Sequence, residues 1–228
     1  MITRKKCRNL HHFMWIDPLL TLELILKGLI VGIVASAPMG PVGVLTIQRT
    51  LNKGRWYGFV TGVGAALSDI IYAVVTGLGL SLVMDFVERG TAMLWIKLAG
   101  GVMLFLFGLW TFKTKPAPLR PKSNQKGTFA HNFLTGFLVT LSNPLIVFLF
   151  LALFARFEFV TSGHPVEQIL GYLAIVAGAL GWWFGLTGTV DKVRSRFRVE
   201  TIGKLNKSIG VAVMLASLIG LLFIATQK

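Results

Sequence analysis

A single carboxylate, Asp69, stands deep inside the apolar run from Trp56 to Met84, and of the nine acids in the chain it is the only one so placed. Burying an ionised carboxylate among hydrocarbon costs at least a few kcal/mol. Asp69 is therefore either a group that binds a cation or carries a proton, or a neutral acid hydrogen-bonded within the packing. Gly54, Gly58, Gly62 and Ala66 place a small residue at every fourth position, and continuing that face by three and seven residues reaches Asp69 and Ala73. The acid thus points where the glycines point, toward a neighbouring helix. Tyr72, one turn on, is either its hydrogen-bond partner or an aromatic filler.

A second chemistry is carried by the backbone. Ala37-Pro38-Met39-Gly40-Pro41-Val42-Gly43 interrupts another apolar run. Each proline removes a backbone donor and crowds the preceding turn, and Gly40 and Gly43 allow close approach, so a helix must unwind here. The polar groups so freed cost several kcal/mol each in hydrocarbon, which requires that the break be covered by protein or line a wet cavity. Asn143-Pro144 repeats the device in a later run, with the Asn amide available to freed carbonyls. Either both are packing kinks or they bound a ligand site.

Other conspicuous residues have simpler readings. Lys97 beside Trp95 is read as a side chain reaching for the membrane interface, Glu23 with Lys27 as a surface pair, and Trp182, Trp183 and Phe184 as lipid-facing or interfacial aromatics. The four histidines have no metal spacing, so neither a metal site nor a cofactor is expected. The chain has no phosphate-binding glycine loop, no HExxH motif and no paired intramembrane carboxylate, which argues against ATP-driven transport and intramembrane proteolysis.

The elements that must hold these residues follow from composition. Of 228 residues, 54% are apolar and 14% charged, and mean hydropathy is +0.71, which makes this an all-α integral membrane protein. Six runs are long enough to span: Leu22 to Ile47, Trp56 to Met84, Thr91 to Phe112, Phe129 to Phe154, Ile169 to Val190 and Ile202 to Ala225. The segment 113–128, rich in Pro, Lys and Ser, reads as a solvated basic linker between a three-helix unit at 22–112 and a second at 129–228. An odd number of spans per unit inverts the second relative to the first, so the expected architecture is two inverted repeats with spans one and four broken.

The net charge of +14 comes from 23 basic residues gathered in short segments between apolar runs, a pattern that suits anionic lipid head groups rather than nucleic acid. Fourteen of the 23 fall in the connections after spans one, three and five, Arg49, Lys53 and Arg55 among them. The favoured topology therefore has both termini outside and the basic loops in the cytoplasm. The leader at 1–21 opposes this through Arg4, Lys5, Lys6 and Arg8, and Met14 is an alternative start that would remove them. Cys7 is the only cysteine, which leaves no intramolecular disulfide.

With these residues laid out, the chain resembles the LysE/RhtB family of amino-acid exporters from Leu22 to Ala225. The likeness is carried by APMGPVGVLTIQRTL, by GRWYGFVTGVGAALSDIIYA and by GFLVTLSNPLIVF. It implies six helices in two inverted halves in the cytoplasmic membrane, a homodimer, and export of amino acids or related small metabolites. Val42 stands where better-known exporters often have Asn, and Leu145 where they have Lys. With no buried base evident to receive a substrate carboxylate, the amides of Val42, Gly43 and Val44 with the Asn143 side chain are candidates for it. Asp69 would face the ammonium or carry a proton. Moving a cationic substrate outward costs about 2.3 kcal/mol per 100 mV, which inward movement of a proton would offset. The rivals are a small-cation exporter, which requires a cluster of ligands around Asp69, and a non-transporting scaffold, which requires only the packing motifs.

The charge count makes a topological prediction. Reporter fusions after Gln125 and after Arg196 should report the cytoplasm and a fusion after Gly163 the exterior; the reverse pattern would overturn it.

Overall fold

The computed structural model describes residues 17–86, 91–115, 127–161, 163–195 and 199–226. The alternative start at Met14 and most of the expected linker lie outside them. The described residues form eight helices and no strand: α1 Pro18–Ser36, α2 Pro41–Lys53, α3 Arg55–Phe86, α4 Thr91–Lys113, α5 Phe129–Leu141, α6 Leu145–Phe157, α7 Pro165–Lys192 and α8 Val199–Thr226. Five segments are long and apolar enough to cross a membrane: Pro18–Ser36, Arg55–Ser81, Leu94–Lys113, Pro165–Lys192 and Glu200–Ile224. The pair α5 and α6, bent by 71° at its junction, makes a sixth if counted as one span.

Local chemistry sets the helix ends. Asp17 caps α1, its carboxylate accepting the amides of Leu19 at 2.9 Å and Leu20 at 3.3 Å, with Pro18 in the first turn where a missing N–H costs nothing. Pro41 opens α2 and Pro165 opens α7 in the same way. The first span differs from the one expected at Leu22 to Ile47. α1 ends at Ser36 and crosses by itself, because the prolines at 38 and 41 cannot continue it and the following Gln48, Arg49, Asn52 and Lys53 make α2 amphipathic rather than apolar.

Three close helix pairs organise the bundle: α1 with α7, α3 with α5, and α4 with α8. Each is made by glycine. A Cβ on Gly28 or Gly32 would strike the α7 backbone at Gly171 or Ile175, and one on Gly178 would strike Leu29. Gly64 lies on the Phe133 carbonyl, Gly136 on that of Thr61, and Gly108 and Gly210 face each other. Ser217 Oγ donates to the Gly101 carbonyl at 2.5 Å, and Glu167 accepts the Asp17 amide at 3.1 Å, tying the starts of α1 and α7. With no hydrophobic force between helices in lipid, such backbone approach and hydrogen bonding is what associates them. The α3 stripe is used in this way: Gly58 receives Thr50 of α2 and Gly62 receives the Trp183 side chain.

The interior is filled by Leu24, Val31, Phe150, Phe154 and Phe159, while Leu19, Trp95, Ile219 and Leu222 face outward, as a bilayer requires. Glu23 and Lys27 pair at 2.5 Å as expected on the surface, and Lys97 meets Glu158 at 2.7 Å.

The packing makes a matched-pair prediction. Gly32→Ala forces α1 from α7, an overpacking cost of about 1–3 kcal/mol, whereas Gly79 has open space around it. Thermal unfolding in detergent should show a lower midpoint for Gly32→Ala than for Gly79→Ala; equal midpoints would show that the α1–α7 contact contributes little.

Candidate functional site

The helix break between α1 and α2 reaches the same cavity as the junction of α5 and α6. Pro38, Gly40, Pro41, Val42 and Gly43 line it from the first, Asn143 from the second, and Asp69 from α3. α4 adds Phe107 and Trp110, α5 adds Val139 and Thr140, α6 adds Leu145, Ile146 and Leu149, and α7 adds Trp183. The volume open to the centre of a water-sized sphere is about 60 Å³, room for several waters.

Asp69 is 4% exposed, and Ser36 Oγ, on the last residue of α1, donates to its Oδ2 at 3.4 Å. No Lys or Arg forms an ion pair with it among the described residues. Tyr72 does not partner Asp69: its hydroxyl donates to the Leu141 carbonyl, satisfying the last residue of α5, and its ring lies outside the cavity wall. Pro144 is likewise outside the lining and serves as the residue preceding α6.

The backbone accounts at the two breaks differ. The Ala37 amide reaches the Ile33 carbonyl at 2.9 Å, and that of Gly40 reaches Pro38 at 2.8 Å. Met39 is held by Asn206 of α8, which accepts its amide at 2.8 Å and donates to its carbonyl at 3.5 Å. The Val44 amide donates to the Gly40 carbonyl at 3.1 Å, so it is not free for a ligand as the sequence suggested; the Val42 and Gly43 amides have no such partner. Asn143 uses Oδ1 to accept the Leu145 amide at 3.2 Å, which leaves Nδ2 as its donor.

Among the lining residues that the sequence did not assign to the site, two carry buried polar groups without a partner. Trp183, read from sequence as outward-facing, is 3% exposed, and its indole Nε1 has no partner; Thr140 is 3% exposed with its hydroxyl also unpartnered. Counting α7 by fours from Gly171 through Ile175, Ala179 and Trp183 to Thr187 traces a buried face throughout, so the rule that located Asp69 would have located Trp183. Phe184 does face outward, with the Arg55 guanidinium 4.1 Å from its ring centre. Arg49, assigned from sequence to a cytoplasmic connection, is only 7% exposed on α2; its Nη1 donates to Thr61 Oγ1 and to the Asn132 carbonyl, both at 2.8 Å. It does not line the cavity. Among the described residues no group of three or more His, Cys, Asp or Glu could hold a metal ion.

Comparison with known proteins places this geometry. The family model described as LysE type translocator matches residues 33–226. The chain is 29% identical over 198 residues to the Bacillus subtilis (strain 168) protein named "Putative amino acid efflux protein YcgF", covering 85% of this chain and 92% of that one. It is 27% identical over 141 residues to "Uncharacterized membrane protein YahN" of Escherichia coli (strain K12), 60% of this chain and 61% of the relative. No solved structure matches.

The clamp on the first break is testable. Asn206→Leu keeps the volume and leaves the Met39 amide buried without an acceptor, a cost of about 1–3 kcal/mol. The thermal midpoint should fall; an unchanged midpoint would show that the amide finds water instead.

Proposed function

The chain belongs to the family of LysE type translocators, and from that premise we propose that it exports an amino acid or a related small metabolite across the cell membrane in exchange for protons. The family is one of transporters rather than enzymes, and the chain is a multi-pass membrane protein by its apolar helices. The observation that carries the finer reading is Asp69, a buried carboxylate without a basic partner, on the wall of a cavity that two interrupted helical segments also line.

The residues divide the work. In the inward-facing form an ionised Asp69 pairs with the substrate ammonium, and the free amides of Val42 and Gly43 with Asn143 Nδ2 offer positive ends to its carboxylate. In the outward-facing form a proton from outside neutralises Asp69 and releases the substrate. The protonated acid, now uncharged, crosses the cycle at low desolvation cost and gives its proton to the cytoplasm. Pro38, Gly40, Pro41 and Pro144 hold the helix ends in place, and Tyr72 secures the end of α5. The partners on this reading are the substrate, protons and bilayer lipid, with a second copy of the chain in a homodimer.

The expected inverted repeat has support in the three closest helix pairs, though not in the α2–α3 and α4–α6 pairs. If α1 and α2 correspond to α5 and α6, α3 to α7 and α4 to α8, exchanging the halves carries the α1–α7 pair onto α5–α3 and returns α4–α8 to itself. The cavity then lies where the halves meet, with both termini outside and the basic connections in the cytoplasm.

Asp69→Asn tests the coupling. It keeps shape and hydrogen bonding, removes the titratable group and lowers the cost of burial, so the variant should insert and fold at least as well as wild type. In membrane vesicles, substrate movement driven by a pH gradient should be abolished, and whatever exchange of substrate down its own gradient remains should be weakened by loss of the ammonium's partner and no longer respond to pH. Normal pH-driven transport by Asp69→Asn would make Asp69 a packing residue.

A further inference from the structure

The lining also bears on which substrate the site accepts. Asp69 is its one acid, and it contains no Lys, Arg or His. Arg49, the buried arginine of the described residues, is committed elsewhere to Thr61 and Asn132. A substrate ammonium would use the only carboxylate available. A second cationic group on a side chain would then enter a buried site with no second acid, and an acidic side chain would find no base. Desolvating either unpaired charge is unfavourable. The remaining wall is apolar: Phe107 and Trp110 from α4, Leu145, Ile146 and Leu149 from α6.

The carboxylate end has its own signature. The Trp183 indole N–H and the Thr140 hydroxyl are both more than nine-tenths buried, both without a partner, and both on this wall. A buried donor left unsatisfied destabilises the fold, and native proteins hold few of them. Of the nine buried side-chain polar atoms without a partner among the described residues, these two belong to residues of the cavity lining, and they suit an acceptor-rich group that arrives with the ligand.

Resting on the exporter reading of the same cavity, we propose that the substrate is a zwitterionic amino acid with an uncharged, apolar side chain, bound through its ammonium at Asp69, with Trp183 and Thr140 joining the Val42 and Gly43 amides and Asn143 Nδ2 as donors to its carboxylate. The aromatic and aliphatic residues of α4 and α6 receive its side chain, and they select against lysine, arginine and glutamate.

Counterflow in proteoliposomes tests this without depending on proton coupling. Vesicles containing purified protein are preloaded with unlabelled leucine, and entry of labelled leucine is measured alone and in competition. Leucine, isoleucine and methionine should exchange and compete, whereas lysine, arginine and glutamate should compete at least ten-fold more weakly. Exchange of lysine or glutamate as strong as that of leucine would overturn the proposal and leave the exporter reading standing. Absence of exchange for every amino acid, with protein that is monodisperse and inserted, would overturn both. Thr140→Val removes one donor and keeps the shape, and Trp183→Phe removes the other together with the pyrrole ring, so each should raise the half-saturating leucine concentration about ten-fold, Thr140→Val without altering the volume of the wall. Donors that are merely orphaned in packing would give variants with unchanged leucine exchange, and that result would overturn the carboxylate assignment.

Discussion

In hydrocarbon a backbone amide or carbonyl without a partner has no water to fall back on. A chain that leaves helical conformation within a membrane bundle must therefore supply a substitute for every group it frees, and the two interruptions here show two ways of doing so. At Ala37–Gly40 the substitute comes from far away in sequence: Asn206, on the last helix, takes both polar groups of Met39. At Ser142–Pro144 the substitute is local for the Leu145 amide, which Asn143 receives, and comes from α3 for the Leu141 carbonyl, which the Tyr72 hydroxyl reaches. The amides left over, at Val42 and Gly43, are on the cavity wall, where a ligand or water can meet them. The location of the site is thus a by-product of which backbone groups could be satisfied internally and which could not.

Close packing by glycine then fixes how rigidly the surrounding helices hold the wall. α1 and α7 meet backbone to backbone through Gly28, Gly32 and Gly178, and α3 and α5 through Gly64 and Gly136. Contacts of this kind leave little room for sliding, because any shift drives an α-carbon into a carbonyl. α2 and α6, each 13 residues long, carry much of the remaining cavity wall and are joined to their predecessors by short non-helical segments. The non-helical joints of this wall are Ala37–Gly40, held by Asn206, and Ser142–Pro144.

Much of this was legible in the residues alone. Apart from the first, whose span ends at Ser36 rather than Ile47, the apolar runs gave the ends of the spans to within a few positions, since hydrocarbon thickness demands about 20 residues of them. Asp69 was found because four-residue periodicity places it on the glycine face. Pro38, Pro41 and Pro144 marked the ends of helices through covalent geometry, which needs no tertiary information. What could not be read depended on partners distant in sequence. Nothing in the sequence singles out Asn206, whose partner Met39 is 167 positions away. Arg49 was counted as a loop charge because composition cannot distinguish an arginine at a membrane edge from one turned inward onto Thr61 and Asn132. Trp183 was misread for a related reason: aromatic residues suit both an interface and an interior, and only its place on the face of Gly171 and Ala179 decides between them.

The pairing of α1 with α7 also imposes an order on biosynthesis. α1 is among the first helices to reach the membrane, yet the surface that accepts Gly28 and Gly32 belongs to a helix beginning at Pro165, and α1 has only slight contact with α3. The same delay separates Met39 from Asn206, which lies in the final helix. The nascent chain must therefore hold α1, with its small-residue groove facing lipid or the insertion machinery, until the helix Pro165–Lys192 has been made, and Met39 must wait longer still, for Asn206.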